Sequence, residues 1–501
     1  MTPRLPRDLW TATQVRELDR RAIEVHGIPG YELMCRAGAA ALATLLSLWP
    51  VSRRLTVLCG AGNNAGDGYV VARLAREAGM EVETVAVVDP GRLQGDAARA
   101  HAAFRAGGGT TEPWRGGRDL EGDAPLVDAL LGTGLDRPLE GDVREAVQAV
   151  NESGRRILAV DVPTGLDATT GAEHGAAIRA DATVTFIGLK LGLFTARGPA
   201  VAGEIHFAGL DVPHGLAAGL DPAARRLDPA RLADWLPARP RDAHKGRHGH
   251  VVVIGGDEGM GGAASLAAAA ALRAGAGLVS VATRPVHVAA ILAARPEVMV
   301  RAVATAEDLT PLLERATVLA VGPGLGRSDW SRALLEAALG ASLPVVLDAD
   351  GLNLLAERPG RRDDWVLTPH PGEAGRLLGC TAAAVQADRP AAARALQARF
   401  GGVVVLKGAG TLVAGSGGPL DLCDRGNAGL ASGGTGDVLT GVIAGLAAQV
   451  GDLGTAARAG VLVHALAGDD AARRGERGLL AGDVVDNIRA WVNPADARRP
   501  A

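Results

Sequence analysis

The sequence contains little cysteine and no paired cysteine motif. Its four cysteines lie far apart, and no two of them form a CxxC pair: Cys35, Cys59, Cys380 and Cys423. Scattered thiols of this kind argue against a zinc cluster and against a small disulfide-linked scaffold. We therefore expect reduced thiols in the core or at the surface.

The sequence also lacks an excess of charge of one sign and any long apolar run. Its formal net charge is −4 and its pI is near 6.3, so no nucleic acid partner is expected. The alanine-rich run 266–278 is too short to span a bilayer and is interrupted by Arg273, so no membrane partner is expected either. Charges interrupt the apolar runs of residues 1–21, which argues against a signal peptide and predicts a cytoplasmic protein.

Lysine is rare in this chain. Of 52 basic residues only three are lysines, and each stands in a glycine-containing segment: Lys190, Lys245 and Lys407. Where arginine supplies generic positive charge, a retained lysine indicates a position that needs a compact and flexible ammonium group. For Lys190, chance explains the presence of a lysine as well as such a need does. For Lys407, chance is the weaker explanation.

The first half of the chain predicts two helices followed by a parallel sheet. Apolar periodicity predicts the helices over residues 13–26 and 31–48. Short β-rich runs then alternate with amphipathic stretches, in the order LTVLC, a helix over 69–78, VETVAVV, a helix near 97–105, PLVDALL, a helix over 143–150, RILAVDV, ATVTFIG and EIHFAGL. Such alternation is typical of an α/β fold whose parallel sheet is covered on both faces.

A second alternation follows a polar segment. Residues 211–241 are rich in Pro, Ala, Arg and Asp, which predicts a domain boundary. Six further strands are then predicted, each followed by a helix: HVVVIGG, GLVSVAT, TVLAVGPG, PVVLDAD, DWVLTPH and GVVVLKG. We predict two α/β domains, over residues 1–212 and 233–496, with a linker over 213–232.

The most informative segment of the second half is LASGGTGDVLTGVIAGLAAQ, residues 430–449. Its glycine-rich start runs into an amphipathic helix, whose unpaired N-terminal N–H groups can hold a phosphate or a transferred phosphoryl group. Asp437 stands in the first helical turn, where a base would accept the proton of an attacking hydroxyl. Helix capping is the alternative role for Asp437, and the segment by itself favours neither.

Other motifs of the second half follow predicted strands: GPGLG (322–326), DAD (348–350), TPHPGE (368–373) and KGAGT (407–411). Ligands of open α/β sheets gather at the carboxyl ends of strands, so this convergence favours a site, with KGAGT suited to a nucleotide phosphate. The run HKGRHGH, residues 244–250, has no acidic cluster nearby. For it we favour contacts to a substrate phosphate, or a solvated loop, over a zinc site.

The first half carries its own glycine-rich motif, GAGNNAGDGYVVARLA, between a predicted strand and a helix. A phosphate-bearing ligand is plausible there, although the glycine spacing is not that of GxGxxG. Asn63, Asn64, Asp128, Asp161 and Thr164 offer oxygen ligands that suit a hard cation of low charge. The alternative is that the asparagines are turn residues and the aspartates cap helices, and the residues alone slightly favour it.

Together these motifs resemble a known family over nearly the whole chain. GNNAGDGYVVAR, DALLGTGL, DVPTGLDATTG and TVTFIGLKLG resemble the NAD(P)H-hydrate epimerase domain. AHKGRHGHVVVIGG, GMGGAA, GPGLG, TPHPGE, KGAGT and ASGGTGDVLTGVIAGL resemble the ADP-dependent (S)-NAD(P)H-hydrate dehydratase domain. The chain thus resembles the bifunctional NAD(P)H-hydrate repair enzymes, which implies two three-layer α/β domains, the first Rossmann-like and the second ribokinase-like.

The resemblance implies repair of hydrated NADH and NADPH. The first domain would interconvert the R and S hydrates, and the second would use ADP to dehydrate the S form, yielding AMP and phosphate. K⁺ would serve the epimerase and Mg²⁺ would accompany ADP. The residues fit NADH hydrate and NADPH hydrate equally, and the resemblance favours ADP over ATP. We also expect a homo-oligomer.

The resemblance assigns site residues motif by motif. In the first domain the hydrate would contact Asn63, Asn64, Ala65, Gly66, Asp67, Gly132, Thr133, Gly134, Leu135, Asp136, Arg137, Pro138 and Asp161. K⁺ would be held by Asn64, Asp128 and Thr164. In the second domain the hydrate would face Ala263, Gly326, His370 and Asp437. ADP would be held by Lys407, Gly408, Ala409, Gly410, Thr411 and Gly436.

Asp437 and Asp161 are the predicted catalytic residues. Phosphorylation of the hydrate hydroxyl, with Asp437 as base, would convert a poor leaving group into a good one. Asp161 would perform acid-base work in epimerisation, by ring opening or by assisted dehydration. Ala65 stands where the family usually has glycine, and Thr164 replaces a common serine with the same hydroxyl.

Two alternatives differ from this interpretation. The first is a small-molecule kinase of the ribokinase-like fold, which would release a stable phosphorylated product. The second is an N-terminal half that only binds ligands or partners and has no catalytic activity. The presence of Asn64, Asp128 and Asp161 argues against the second alternative.

Overall fold

The computed structural model describes residues 5–494 except 121, 136 and 214. The chain divides into two compact units, an N-terminal unit (Met1–Arg225) and a C-terminal unit (Arg226–Ala501). The boundary lies inside the segment for which the sequence predicts a linker. No helix among the described residues combines the length and the apolarity needed to cross a membrane.

The N-terminal unit is built on a seven-stranded sheet. The strands up to the boundary between the units are β1 (Asp8–Trp10), β2 (Arg54–Cys59), β3 (Glu81–Ala86), β4 (Glu112–Pro113), β5 (Leu126–Ala129), β6 (Ile157–Val160), β7 (Ala182–Phe186), β8 (Leu189–Lys190), β9 (Glu204–Ala208) and β10 (Ala224–Arg226). The sheet order is β4-β3-β2-β5-β6-β7-β9, and all of its pairs are parallel. The short β1 pairs with β8 and β10 outside this sheet.

Helices cover both faces of the seven-stranded sheet. They are α1 (Ala12–Glu24), α2 (Gly30–Leu48), α3 (Asn63–Glu77), α4 (Gly95–Ala106), α5 (Gly141–Glu152) and α6 (Gly198–Val201). Because side chains alternate along a strand, Val57 of β2 joins the core under α2 and α3, whereas Leu58 joins the core on the α5 side. The result is the three-layer α/β architecture that the sequence predicts.

The C-terminal unit has a larger, mostly parallel sheet. Its strands are β11 (His250–Ile254), β12 (Leu278–Thr283), β13 (Met299–Ala302), β14 (Val318–Val321), β15 (Val345–Leu347), β16 (Trp365–Leu367), β17 (Val403–Leu406), β18 (Thr411–Ala414) and β19 (Leu420–Cys423). Within this unit they follow the order β13-β12-β11-β14-β15-β16-β17-β18-β19. Pairs from β13 to β17 are parallel, and β17-β18-β19 are antiparallel.

The helices of the C-terminal unit pack around this sheet. They are α7 (Leu232–Trp235), α8 (Gly261–Arg273), α9 (Val288–Ala294), α10 (Thr310–Leu313), α11 (Asp329–Gly340), α12 (Ala349–Glu357), α13 (Pro371–Leu378), α14 (Ala382–Ala387), α15 (Arg389–Phe400), α16 (Thr435–Val450), α17 (Leu453–Ala471) and α18 (Ala481–Trp491). Helix α16 crosses α8 closely because Gly441 and Gly445 face Ala267 and Ala271, where no side chain would fit. This contact places the start of α16 over the carboxyl edge of the sheet.

Three sequence predictions about these elements are wrong. The helix expected over residues 69–78 begins at Asn63, because tertiary packing makes the glycine-rich segment the first turns of α3. No helix directly follows β17, which instead turns through residues 407–410 into the antiparallel β18. The described part of the C-terminal unit has nine strands from β11 to β19 rather than the six predicted, because β13, β18 and β19 are not predicted.

Candidate active sites

The start of α16 in the C-terminal unit has the geometry of an anion site. Gly434 is the N-cap residue and has a φ of +90°, a left-handed conformation that favours glycine. A side chain at Gly433 would meet no atom within 4 Å, so the backbone there borders open space. The first-turn amides of a helix have no intrahelical acceptor and carry partial positive charge. A ligand oxygen can therefore approach them.

Asp437 lies in the first turn of α16, beside this anion site. Burial raises the pKa of Asp437 to about 7, and the negative charges of Asp348 and Asp350 raise it while Lys407 lowers it. A carboxyl group with this pKa exchanges protons near neutral pH, as a general base must. Simple helix capping would favour the charged form and lower the pKa instead, so the electrostatics favour the catalytic alternative.

Lys407 joins the same cluster from the end of β17. Its ammonium Nζ lies 2.7 Å from Asp348 Oδ1 and 3.9 Å from Glu373 Oε2. Burial acts to lower the pKa of Lys407, but the carboxylates of Asp348, Glu373 and Asp437 outweigh it and the pKa is raised. Lys407 is therefore a fixed positive charge beside Asp437.

The other oxygen of Asp348 ties the cluster to α16. Thr440 Oγ1 donates a hydrogen bond to Asp348 Oδ2 at 2.7 Å, and both residues are buried. A side chain at Gly436 would come within 3.4 Å of Lys407 Nζ and 3.7 Å of Asp348 Oδ2. The predicted ADP residues Lys407 and Gly436 thus lie side by side, although they are far apart in sequence.

His370 and Glu373 contribute from the start of α13. Glu373 Oε2 accepts a hydrogen bond from the His370 N–H at 2.8 Å, and His370 Nδ1 accepts one from the Gly372 N–H at 3.0 Å. Burial raises the pKa of Glu373 to about 7 despite the opposing effect of Lys407. Burial and the positive charges of Lys407 and Arg376 lower the pKa of His370, so its ring is neutral at neutral pH.

Gly326 and Ala263 lie at neighbouring strand ends. The Gly326 N–H donates to Asp350 Oδ2 at 2.9 Å, which links the loop after β14 to the aspartate that acts on Asp437. Ala263 is in the first turn of α8, and a side chain at Gly324 would meet its Cβ at 3.1 Å. Three of the predicted hydrate contacts, Ala263, Gly326 and His370, thus lie in the segments after β11, β14 and β16, and Asp437 lies beside Lys407 at the end of β17.

The remaining predicted ADP residues form the turn between β17 and β18. Gly408 and Gly410 have φ values of +131° and +65°, and Thr411 Oγ1 donates to Gly408 O at 3.0 Å. Gly408 and Ala409 are exposed, so the turn is open to a ligand. The HKGRHGH run precedes β11, at the amino end of the sheet, and is thus remote from this edge.

Sequence reasoning missed a further residue of this site, His464. Its Nε2 lies 2.9 Å from the carbonyl oxygen of Thr435 and donates to it. Burial lowers the pKa of His464 to about 4, so the ring is neutral. No sequence motif marks this residue, because only the packing of α17 on α16 brings it to the start of α16.

In the N-terminal unit, Asp161 pairs with Lys190. The Lys190 ammonium donates hydrogen bonds to Asp161 Oδ1 and, at 2.9 Å, to Phe186 O. Lys190 is 1% exposed, and Asp161, in the turn after β6, has a φ of +69°, a left-handed conformation that is uncommon for a residue other than glycine. A buried ammonium in contact with a carboxylate can exchange protons with a ligand that reaches the pair.

Two further carboxyl groups surround this pair. Burial raises the pKa of Asp19 to about 6, with Lys190 lowering it and Asp161 raising it. Burial, Asp161 and Asp19 raise the pKa of Asp67 well above its usual value, against the effect of Lys190. Asp67 is a predicted site residue, whereas Asp19 is not. The sequence does contain a signal for Asp19, namely a carboxylate on the apolar face of α1 beside Leu18 and Ala22.

The predicted cation ligands lie together at the next strand end. Asp128 is fully buried and accepts hydrogen bonds from Thr164 N at 2.8 Å, from Thr164 Oγ1 at 2.7 Å and from Leu130 N at 3.2 Å. Burial raises the pKa of Asp128 to about 6. Asn64 is 7% exposed, and neither its Oδ1 nor its Nδ2 has a hydrogen-bond partner among the described residues. A buried amide without partners points to a ligand not drawn from the protein.

The rest of the first motif divides into packing and surface residues. Asn63 is exposed at the start of α3, whereas Ala65 and Gly66 are buried against neighbouring helices. Gly132 lies against Asn64, since a side chain there would meet Asn64 Cγ at 3.4 Å. Gly132, Thr133, Gly134, Leu135, Arg137 and Pro138 belong to the loop after β5, and Asp136 lies outside the described residues.

These features define an α/β enzyme with an acid-base centre in each unit, the second of them placed at a helix N-terminus suited to phosphoryl transfer. Two family models match the chain: YjeF-related protein N-terminus over residues 30–192 and NAD(P)H-hydrate dehydratase over residues 251–490. The chain belongs to the family of bifunctional NAD(P)H-hydrate repair enzymes. The predicted resemblance is therefore confirmed.

Individual relatives cover nearly the whole chain. It is 49% identical to the bifunctional NAD(P)H-hydrate repair enzyme Nnr of Coxiella burnetii, over 97% of this chain and 99% of the relative. It is 46% identical to the Escherichia coli K12 enzyme of the same name, over 98% and 95%. A solved ribokinase-like superfamily protein of Enterococcus faecalis is 31% identical, with a TM-score of 0.50, over 54% of this chain and 96% of that chain.

Proposed function

We propose that this chain repairs hydrated NADH and NADPH, with an epimerase in the N-terminal unit and an ADP-dependent dehydratase in the C-terminal unit. The observation that carries the proposal is Asp437, a carboxyl group with a pKa of about 7 at the open start of α16 and beside Lys407. Membership of the repair family supplies the substrate class, and this arrangement supplies a means of phosphoryl transfer.

Asp437 acts as the base in the dehydratase. It accepts the proton of the hydrate hydroxyl as that oxygen forms a bond to the β-phosphorus of ADP, and the bond from this phosphorus to AMP breaks. The amides of Gly434 and Gly436 and the Lys407 ammonium balance the negative charge that develops. The product of this step is a phosphorylated hydrate and AMP.

The second step expels phosphate. The ring nitrogen's lone pair forms a C=N bond as the C–O bond to phosphate breaks, and loss of the neighbouring ring proton restores the dihydronicotinamide. Asp437 still holds the hydroxyl proton from the first step, so Glu373, whose pKa is about 7, accepts the ring proton. The net products are NAD(P)H, AMP and phosphate.

Asp161 and Lys190 perform the acid-base work of the epimerase. Epimerisation requires that the bond to the hydroxyl, or to the ring nitrogen, break and re-form on the other face, with one proton accepted and one returned. Asp161 accepts a proton and Lys190 returns one in either route. Asp19 and Asp67 set the local charge, since both resist ionisation beside Asp161.

K⁺ fits the donor set of Asn64, Asp128 and Thr164. The Asn64 carbonyl oxygen is buried and has no partner in the part of the chain that the structure describes, and Asp128 and Thr164 add hard oxygen atoms. A bound K⁺ would supply positive charge near the substrate. In the C-terminal unit, Mg²⁺ would arrive with ADP, because it is usually held by phosphates and one or two carboxylates. Asp348 and Asp350 lie near Asp437 and offer such oxygens.

The proposed partners are NADH hydrate, NADPH hydrate and ADP. The cytoplasmic location, the homo-oligomeric state and the absence of nucleic acid and membrane partners stay predictions from the sequence. The domain limits 1–212 and 233–496 likewise stay proposals.

Recovery of the absorbance of reduced nicotinamide tests the function. The substrate is a mixture of R and S NADH hydrates, with ADP, Mg²⁺ and K⁺ present or withheld singly. We expect complete recovery that requires ADP. This result would establish both activities, because the dehydratase alone consumes only the S form and the R form must first be epimerised. A stable phosphorylated product without NADH would favour a kinase, and no turnover with any nucleotide would exclude the repair function.

A further inference from the structure

Arg389 is a fully buried arginine that takes no part in the proposed mechanism. It is the first residue of α15 and is 0% exposed. Burial lowers the pKa of Arg389 to about 10, which reflects the cost of removing its charge from water. The contacts of the buried guanidinium group must therefore compensate for this desolvation cost.

The contacts of Arg389 surround one turn. Nη2 donates to Leu406 O at 3.2 Å and to Gly410 O at 3.4 Å, and Nη1 donates to Lys407 O at 3.2 Å. Nη1 also donates to Gln386 Oε1 at 3.0 Å, which orients the guanidinium. Three carbonyl oxygens of the β17–β18 turn thus converge on one side chain.

This convergence determines where the amides of the turn point. In a trans peptide the C=O and the next N–H point in opposite directions. Because the carbonyls of Lys407 and Gly410 face Arg389, the N–H groups of Gly408 and Thr411 face away from it, and Gly408 itself is exposed. Gly408 also approaches Arg389 closely, since a side chain there would lie 2.9 Å from Nη1.

We propose that Arg389 is a positioning residue for ADP: its guanidinium holds the turn so that outward amides and a buried positive charge receive the nucleotide phosphates. The inference rests on the proposed function, which places ADP at this turn. Arg389 itself does not touch the ligand. Its effect on catalysis comes through the geometry of residues 407–411 and the electrostatic potential at the turn.

Arg389→Lys in the full chain is the test. Lysine keeps the positive charge but cannot span three carbonyls with a planar fork. The matched control is Arg362→Lys, because Arg362 also donates to backbone carbonyls, Leu339 O at 2.6 Å and Leu343 O at 3.1 Å, in the same unit but away from the site. Both variants are compared for thermal midpoint, KM for ADP, KM for the S hydrate, and binding of Mg²⁺–ADP by calorimetry.

We expect Arg389→Lys to raise the KM and Kd for ADP about tenfold, the effect of losing a charged hydrogen bond, while the KM for the hydrate stays within about twofold. Arg362→Lys lowers the thermal midpoint without changing either ADP constant. Equal losses of stability with an unchanged ADP KM in both variants would assign Arg389 a purely structural role and overturn the inference.

Two further results separate the remaining cases. If Arg389→Lys does not fold, Gln386→Ala decides, because it removes only one orienting hydrogen bond; a KM for ADP raised about twofold supports the inference and an unchanged value overturns it. If the wild-type chain neither binds Mg²⁺–ADP nor restores NADH, the proposed function itself fails, whatever the variants do.

Discussion

Gly66 and Gly68 of the N-terminal unit and Gly433 and Gly436 of the C-terminal unit stand in similar sequence patterns but in opposite surroundings. A side chain at Gly66 would lie 2.9 Å from Ala97 Cα, and one at Gly68 would lie 2.5 Å from Ala129 Cβ. At Gly433 a side chain would meet nothing within 4 Å, and at Gly436 it would meet only Lys407 and Asp348 at 3.4 and 3.7 Å.

The comparison teaches that a glycine-rich segment before a helix has two distinct physical uses. In the N-terminal unit the glycines allow α3 to pack closely on α4 and on the sheet, and the ligands come from Asn64 and the strand ends. In the C-terminal unit they leave backbone amides open at the start of α16. The first use is a matter of stability and the second a matter of binding.

The largest expected effect is the loss of dehydratase activity in an Asp437→Asn variant. Loss of the base lowers its kcat by about 10²- to 10⁴-fold, while R-to-S epimerisation stays unchanged. NADH recovery from pure S hydrate and epimer ratios measured by chromatography give the two rates. Asp452→Asn is the control, because Asp452 caps α17 through Thr455 N at 2.7 Å. If both substitutions had equally small effects on the dehydratase kcat, Asp437 would only cap α16 and would not be the base.

Asn64→Ala tests the ligand site of the N-terminal unit. Removing one oxygen ligand raises the K⁺ concentration for half-maximal epimerase activity about 10- to 100-fold, a typical effect of perturbing a metal site. Epimerisation rates across a K⁺ titration measure this shift. Asn151→Ala, which removes hydrogen bonds to Ala177 O and Arg179 N in the same unit, lowers stability and leaves the K⁺ dependence unchanged. A K⁺-independent wild-type enzyme would contradict the assignment.

The pH dependence of the dehydratase follows from the raised pKa of Asp437. Because the base must be deprotonated and its pKa is about 7, kcat falls about tenfold per pH unit below pH 7. The measurement is kcat from pH 5 to pH 9 at saturating ADP and hydrate. A plateau that extends down to pH 5 would show that a carboxyl group of ordinary pKa controls the step.

Gly68→Ala and Gly436→Ala test the comparison of the two glycine segments directly. The first lowers the free energy of unfolding of the N-terminal unit by about 1–3 kcal/mol, because the added methyl group overpacks the sheet. The second leaves stability within about 0.5 kcal/mol and raises the KM for ADP. Denaturant unfolding and ADP titrations measure these effects. The comparison fails if Gly436→Ala is the variant that loses stability, or if Gly68→Ala is the variant that raises the KM for ADP.

The smallest expected effect is on stability. The folded-state pKa of Asp437 is raised from 3.8 to about 7, so the folded chain binds the proton more tightly and loses stability as pH rises between these values. Asp437→Asn removes this loss, so it raises the free energy of unfolding at pH 8 and gives no gain at pH 4. Urea unfolding at both pH values checks the sign.

Much of the fold could be predicted, but the start of α3 could not. Hydrophobic runs such as LTVLC and HVVVIGG predict β2 and β11 because buried parallel strands are apolar throughout. Asn and Gly have low helix propensity, so the local pattern predicts a loop at residues 60–68. Packing of buried Ala65 and Gly66 against other helices overrides that preference.

The candidate sites were predictable as motifs but not as constellations. Asp437 and Lys407 are recognisable in their glycine-containing segments. Asp348, the partner of Lys407, is separated from it by 59 residues, and no local pattern pairs the two. His464 and Arg389 belong to helices that carry no motif, and only helix packing brings them to the C-terminal site.

The amino-acid order alone determined the alternation of strands and helices, the α/β class and the positions of the motifs that bear chemistry, because these depend on interactions between near neighbours in the chain. Only the tertiary structure decided which carboxyl groups share a site, which glycines are packed and which are open, and which pKa values are raised. Burial and Coulomb interactions depend on distances in space, and those distances join residues that are remote in sequence.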